Sequence, residues 1–256
     1  MTDATTPSTS GIPTGPAPVD LLVIGAHPDD AEYGMGGTLL QHHRAGHRIG
    51  VVDLTRGELG TKGSPQQRAS EARTAAALYG ATFRHGLDLG DNRITNDPAS
   101  VETLAAVIRV AQPTLVCTHL SEDRHPDHRS AADLVPRAVF AAALASLELT
   151  IAGEAVDHHV VDGLLHFPTD RVIDGDVLVD VSDVWEARLD TMRAFASQFT
   201  APTAAIDHTL YGIDDYLEVV ATRARAHGQR IGVRYAEAFV SDRGLAADDL
   251  VALVRR

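Results

Sequence analysis

Residues 20–32 read DLLVIGAHPDDAE, and residues 114–128 read TLVCTHLSEDRHPDH. In each, a short apolar run (Leu21–Ala26, Thr114–Leu120) leads into a His-Pro-Asp turn. Runs this short, rich in branched residues and closed by a turn, read as strands buried on both faces. Such strands belong to parallel sheets covered by helices.

The segments around them keep that alternation. His47–Thr55 reads as a second strand and Thr82–Leu89 as a third, with later strand-like stretches at His158–Phe167, Val177–Val181 and Tyr235–Val240. Helices are predicted around Gly36–Ala45, from Ser64 to Gly80, and over Ala99–Ala111, Arg129–Ala145, Asp183–Ser197 and Asp214–Gly228. The second starts on Ser64-Pro65-Gln66-Gln67: a cap, a proline in the first turn and a glutamine three residues after the cap. The expectation is an α/β fold, a Rossmann-like, doubly wound, mostly parallel sheet with helices on both faces. Sheets of this kind bind ligands beyond the carboxyl ends of the strands, where strand order reverses. There the first and fourth strands are neighbours, so the two His-Pro-Asp turns are expected to face one crevice.

The chain has 256 residues, enough for one large domain. Residues 1–18, rich in Thr, Pro, Ser and Gly, are expected to be a disordered leader, and residues 19–256 a single domain. With 22 Lys plus Arg against 35 Asp plus Glu, the net charge of −13 argues against a general nucleic-acid or anionic-membrane surface. All but one of those basic residues are Arg, the exception being Lys62. A single cysteine, Cys117, cannot close an intramolecular disulfide and fits a reducing, cytoplasmic compartment. It lies inside a predicted strand, where it reads as a packed thiol.

The turns carry the chemistry. His27 and Asp30 are three apart, as are His125 and His128, so one backbone turn can bring each pair onto one centre. Two imidazoles and a carboxylate make a site that binds Zn²⁺ and leaves a position for water. Imidazole also suits Fe²⁺ and other divalent transition metals. A lone His-Pro-Asp after a strand is more often a capping turn; two at one sheet edge reverse that expectation. Asp29, beside Asp30, is placed to act as base. His125, held as imidazolium by Asp127, can stabilise an oxyanion, although Asp127 can equally cap the helix that follows. Arg56, in the glycine-rich loop after the second strand, can reach into the crevice or be solvated, and Asp91, at the end of the third, is similarly open. Glu32 has no assigned role.

The runs AHPDDAEYGMGG, TRGELGTKGSPQQRASEA and DRHPDHRSAADLV, with YAEAF at Tyr235–Phe239, resemble the LmbE-like (PIG-L) family of zinc-dependent N-acetylglucosaminyl deacetylases. GELGTKGSPQQR and YAEAF look most like the branch that deacetylates N-acetylglucosaminyl malate in bacillithiol biosynthesis. The resemblance implies His27, Asp30 and His128 as zinc ligands and Asp29 as general base. It also implies His125, oriented by Asp127, as the acid or electrostatic group, with Arg56, Arg68 and Asp91 near the substrate. Some relatives carry a carbonyl-polarising tyrosine just before HPDH; Ser121–Arg124 offers none here, and Tyr211 is a candidate for that role. The expected partner is a small N-acetylated amino sugar, with Arg56 or Arg109 as the cation for an acidic aglycone. A homo-oligomer, such as a hexamer, is implied too. Alternatives are a deacetylase of another N-acetylglucosamine compound (an inositol glycoside or a chitin fragment) or a non-catalytic, metal-stabilised sugar-binding protein. A dinucleotide-binding reading lacks G-x-G-x-x-G after the first strand, and a serine-hydrolase reading lacks G-x-S-x-G.

Overall fold

The computed structural model describes residues 17–199 and 216–249. Most of the expected leader, residues 1–16, and Tyr211 lie outside the described residues. In chain order the elements are β1 (Leu21–Gly25), α1 (Asp30–Arg44), β2 (Ile49–Asp53), α2 (Pro65–Leu78), β3 (Phe83–Gly86), α3 (Pro98–Ala111), β4 (Leu115–His119) and α4 (Pro126–Ala143). The hairpin β5 (Leu149–Ile151) and β6 (Glu154–Val156) follows. After it come β7 (Gly163–Phe167), β8 (Val177–Asp180), α5 (Trp185–Arg193), α6 (Ala196–Phe199), α7 (Tyr216–Ile231) and β9 (Ala236–Ser241).

Seven strands form one sheet in the order β3-β2-β1-β4-β7-β9-β8. The first five are parallel, while β9 runs antiparallel to both β7 and β8. The chain leaves β1 toward β2 and β3 on one side and resumes at β4 on the other, so the order reverses between β1 and β4 as expected of a doubly wound sheet. Side chains alternate across the sheet. Leu22 and Ile24 pack with Val116, Leu104, Ile108 and Leu134 on the α3–α4 side. Leu21 and Val23 pack with Met35, Leu39, Phe167, Trp185 and Phe195 on the other. Two full cores sandwich the sheet.

The expected helix starts are late at both turns. Helix α1 begins at Asp30, not near Gly36, and α4 at Pro126, three residues before Arg129. Glycines lower helix propensity, and tertiary packing overrides it here. A Cβ on Gly34 would sit inside the Phe167 ring, so only glycine lets α1 lie this close to β7. The helix is broken at Met35 (φ −146°, ψ 27°), and its next turn is capped from far away. The Glu237 carboxylate accepts the Gly37 and Thr38 N–H groups at 3.0 and 2.7 Å and pairs with the buried Arg188 at 3.2 Å. Glu32, left unassigned by the sequence, accepts from Tyr79 Oη at 2.7 Å and Arg84 Nη1 at 2.6 Å. Arg84 also forks onto Asp53, tying α1 to β2 and β3. No helix among the described residues is long and apolar enough to cross a membrane.

Candidate metal centre

The carboxyl ends of β1 and β4 bring residues 26–30 and 119–128 together. His27, Asp30 and His128 are all buried there. Asp30 stands between the two imidazoles, with Oδ2 3.4 Å from His27 Nδ1 and Oδ1 3.2 Å from His128 Nε2. The outer ring nitrogens are held by other carboxylates. His27 Nε2 lies 3.3 Å from Asp127 and 3.4 Å from Asp91, and His128 Nδ1 lies 3.0 Å from Asp123. A carboxylate behind each imidazole fixes its tautomer and turns its free nitrogen toward a shared centre, the arrangement that supports metal-ligating histidines.

The charges match that reading. Burial works to lower both imidazoles, but Asp127, Asp30 and Asp91 raise His27 well above its ordinary range, and Asp30 with Asp123 raises His128 to about 9. Burial likewise works to raise Asp30, yet His128 and His119 hold it well below the usual carboxylate range. The cluster therefore demands positive charge, and its donor set of imidazole and carboxylate is that of a divalent transition metal. Ligating atoms of His27, His125 and His128 lie within 4.8 Å of one another, as do those of Asp30, His119 and His128.

Asp29 adopts φ 138°, ψ −20°, a region that L-residues rarely enter, at the hinge between β1 and α1. Burial pushes its carboxyl up to about 7; Arg68 opposes the shift and Asp30 adds to it. Its Oδ2 is 3.1 Å from Arg68 Nη2. Arg68, expected to touch substrate, does border the cavity, but its guanidinium also donates to the Pro28 and Gly57 carbonyls at 2.9 and 3.2 Å. It holds the Asp29 carboxyl in place. Gly57 has φ +61°, and any side chain there would overlap that guanidinium.

Three expectations change. Arg56 is exposed and pairs with Asp88 at 2.7 Å, away from the residues lining the cavity. Its neighbour Thr55 turns inward to donate to the Ala26 carbonyl, so alternation sends Arg56 outward. Arg109 is buried on α3, where it donates to the carbonyls of Ala141, Ala142 and Leu144 at the end of α4 and to Leu147 and Val156. It supports that helix end and serves no ligand. The Asp127 carboxylate faces His27 and the Asn92 N–H (2.6 Å), not His125. His125 Nδ1 instead accepts the Asp127 backbone N–H at 3.2 Å, capping α4. Burial and the neighbouring His128 push His125 down to about 4, so it is a neutral imidazole with its proton on Nε2. Asp91 keeps its expected place beside the cavity, where His27 holds it down to about 2 and the Leu59 N–H donates to it at 2.9 Å.

Sequence reasoning missed His119, Asp123 and Thr169. His119, at the end of β4, stacks on His128 with centroids 4.0 Å apart and sits 3.1 Å from Asp30. Asp123 accepts from Thr169 Oγ1 and from the His125 N–H. A signal for Asp123 was present: a metal-ligating histidine needs a second carboxylate, and the preceding loop supplies one.

His27, Asp29, Asp30, Arg68, Asp91, His125 and His128 border a cavity of about 590 Å³, whose other walls come mainly from Leu59–Lys62, Arg124, Asp170, Gln198 and the rings of Tyr33, Phe199 and Tyr216. A buried cluster suited to a cation, a carboxyl that titrates near neutrality and a neutral imidazole donor open onto a space of small-molecule size. That arrangement can activate a water and stabilise the charge its attack creates.

The family model described as PIG-L, GlcNAc-PI de-N-acetylase, matches residues 22–139. A diacetylchitobiose deacetylase of Thermococcus kodakarensis is 29% identical over 85% of this chain and 80% of its own length. A 1D-myo-inositol 2-acetamido-2-deoxy-alpha-D-glucopyranoside deacetylase of Actinosynnema mirum is 27% identical over 72% of this chain and 82% of its own. A 4-oxalmesaconate hydratase of Pseudomonas putida is 29% identical over 69% and 73%. Among solved structures, the conserved protein TT1542 of Thermus thermophilus superposes with a TM-score of 0.79 and 33% identity, covering 91% of this chain and 98% of that one.

Proposed function

The chain belongs to the PIG-L family, and we propose that it is a metal-dependent deacetylase that hydrolyses the acetamido group of an N-acetylglucosaminyl compound. Two imidazoles, each backed by a carboxylate and each turned toward Asp30, carry this reading, with His27, Asp30 and His128 as the metal ligands. Zn²⁺ or Fe²⁺ suits that donor set. When bound, such an ion lowers the pKa of a water and polarises the amide carbonyl.

The chain's own residues do the rest. Asp29, ionised near neutrality and steadied by Arg68, takes a proton from the attacking water. The water oxygen bonds to the carbonyl carbon, and His125 Nε2–H donates to the developing oxyanion. Asp29 then returns its proton to the amine nitrogen as the C–N bond breaks, releasing acetate and the free amino sugar. Asp91, through the Leu59 N–H, holds the loop that forms one wall of the cavity.

GELGTKGSPQQR and YAEAF favour the malyl glycoside of bacillithiol biosynthesis as substrate. The relatives described as acting on diacetylchitobiose and on an inositol glycoside make those compounds the comparison set. Acetate release from all three, measured before and after chelation and metal restoration, tests the reading. Turnover that is unaffected by complete metal removal would overturn it. The 4-oxalmesaconate hydratase relative favours a second reading, addition of water to an unsaturated carboxylic acid by the same base. Hydration of such an acid with no acetate release from any glycoside would establish that reading instead.

A further inference from the structure

Besides the histidines, three cations line the cavity among the described residues: Lys62, Arg68 and Arg124. Arg68 is engaged by Asp29 and two backbone carbonyls. Arg124 Nε lies 2.5 Å from Asp170. Lys62, the single lysine of the chain, pairs with none of the described carboxylates, and its ammonium sits 5.8 Å from the centroid of the Tyr216 ring. In a protein with 35 acidic side chains, a cation on a cavity wall without a counter-ion among the described residues is unusual.

Its backbone, by contrast, is fixed. Gln198 Nε2 donates to the Lys62 carbonyl at 2.7 Å, and Glu71 on α2 binds the Ser197 N–H at 2.9 Å, so the lysine loop, α2 and α6 are stitched together. Phe199, at the end of α6, stacks on Tyr33 at 5.8 Å and meets Tyr216 edge-on at 5.8 Å. An ammonium on an anchored loop thus stands over an aromatic corner of the same cavity that holds the acidic cluster. Aromatic rings take up the apolar face of a ligand, and the ammonium adds selection for a negative group. An anion entering a protein of net charge −13 needs such a local cation.

We propose that Lys62 determines specificity by binding a carboxylate on the substrate's aglycone, so that the preferred substrates are N-acetylglucosaminyl compounds with an acidic aglycone. The inference rests on the deacetylase reading above. It replaces Arg56 and Arg109, which the fold directs elsewhere.

The test compares the metal-loaded wild type with K62M and K62R on N-acetylglucosaminyl malate and on its uncharged dimethyl ester. Loss of one charge-assisted contact is expected to raise KM for the malate about tenfold in K62M, with kcat little changed. KM for the diester stays the same, and K62R recovers most of the loss. Equal effects on both substrates, or none on either, would overturn the proposal. Calorimetric binding of the deacetylated product, glucosaminyl malate, decides independently of turnover. Affinity unchanged by K62M, or acetate release from diacetylchitobiose or the inositol glycoside but not from the malate, refutes the role of Lys62, whereas absence of acetate release from all of these glycosides refutes the deacetylase reading.

Discussion

Asp29 is where backbone and chemistry meet most directly. Its φ of 138° carries strain that only a well-packed surround can hold, and the same turn places its carboxyl beside Asp30 and against Arg68. Asn tolerates positive φ better than most residues and keeps the shape of Asp, so D29N is the informative change. It should fold, retain its metal, and lose about 10²–10⁴ in kcat. Metal analysis and acetate release on one preparation check this, and a variant near wild type would remove Asp29 from the chemistry. Asp123 makes a different prediction because it acts through His128. Without it, the His128 ring loses the partner 3.0 Å from Nδ1 that fixes its tautomer. D123A is expected to weaken metal binding by about 10–100-fold in competition with a chromophoric chelator. D123N, which can still accept from Nδ1–H, should recover part of that loss.

At the scale of elements, α1 depends on a residue 200 positions downstream. Its break at Met35 frees N–H groups in the helix interior, and the Glu237 carboxylate from β9 satisfies those of Gly37 and Thr38. Removing it strands those donors and leaves Arg188, which is fully buried, without its carboxylate. E237A should therefore cost about 3–5 kcal/mol, the usual penalty for breaking a buried ion pair from one side. Urea unfolding measures it, and a loss under about 1 kcal/mol would show that the pair does not support the kink. This dependence also shows what the sequence could and could not convey. Local patterns sufficed for the strand order around β1 and β4, since apolar runs ending in turns report a buried parallel sheet directly. They failed at the start of α1, where AEYGMGG has poor helix propensity and the helix persists because Gly34 packs against Phe167 and Glu237 caps the break. Both causes lie far off in sequence. The site divides in the same way. His27, Asp30 and His128 stand in motifs of adjacent residues, so their convergence followed once the strands were placed. The partners of Asp127, Arg68 and Arg109 depended on which way side chains turn in loops and at helix ends, and a pattern of residue types does not record that.

At the scale of the molecule, the candidate metal site exists only in the folded chain. The residues proposed as its ligands come from segments about a hundred residues apart, joined by the pairing of β1 with β4. Four carboxylates, from Asp30, Asp91, Asp123 and Asp127, crowd the imidazoles of His27 and His128 there. An ion that neutralises them binds the native state and finds no comparable site in the unfolded chain, so occupancy adds to stability by mass action. With free metal at a hundred times Kd the gain is about 2.7 kcal/mol. For a domain of this size that corresponds to roughly 5–10 °C in Tm. Chelation should lower Tm by that amount, and restoring Zn²⁺ or Fe²⁺ should return it. D30A, lacking the carboxylate between the two imidazoles, should melt at the same temperature with or without chelator. If the wild type loses its metal by elemental analysis and its Tm does not move, the ion contributes nothing to the fold. The cluster would then be held by its internal hydrogen bonds and protonated imidazoles alone.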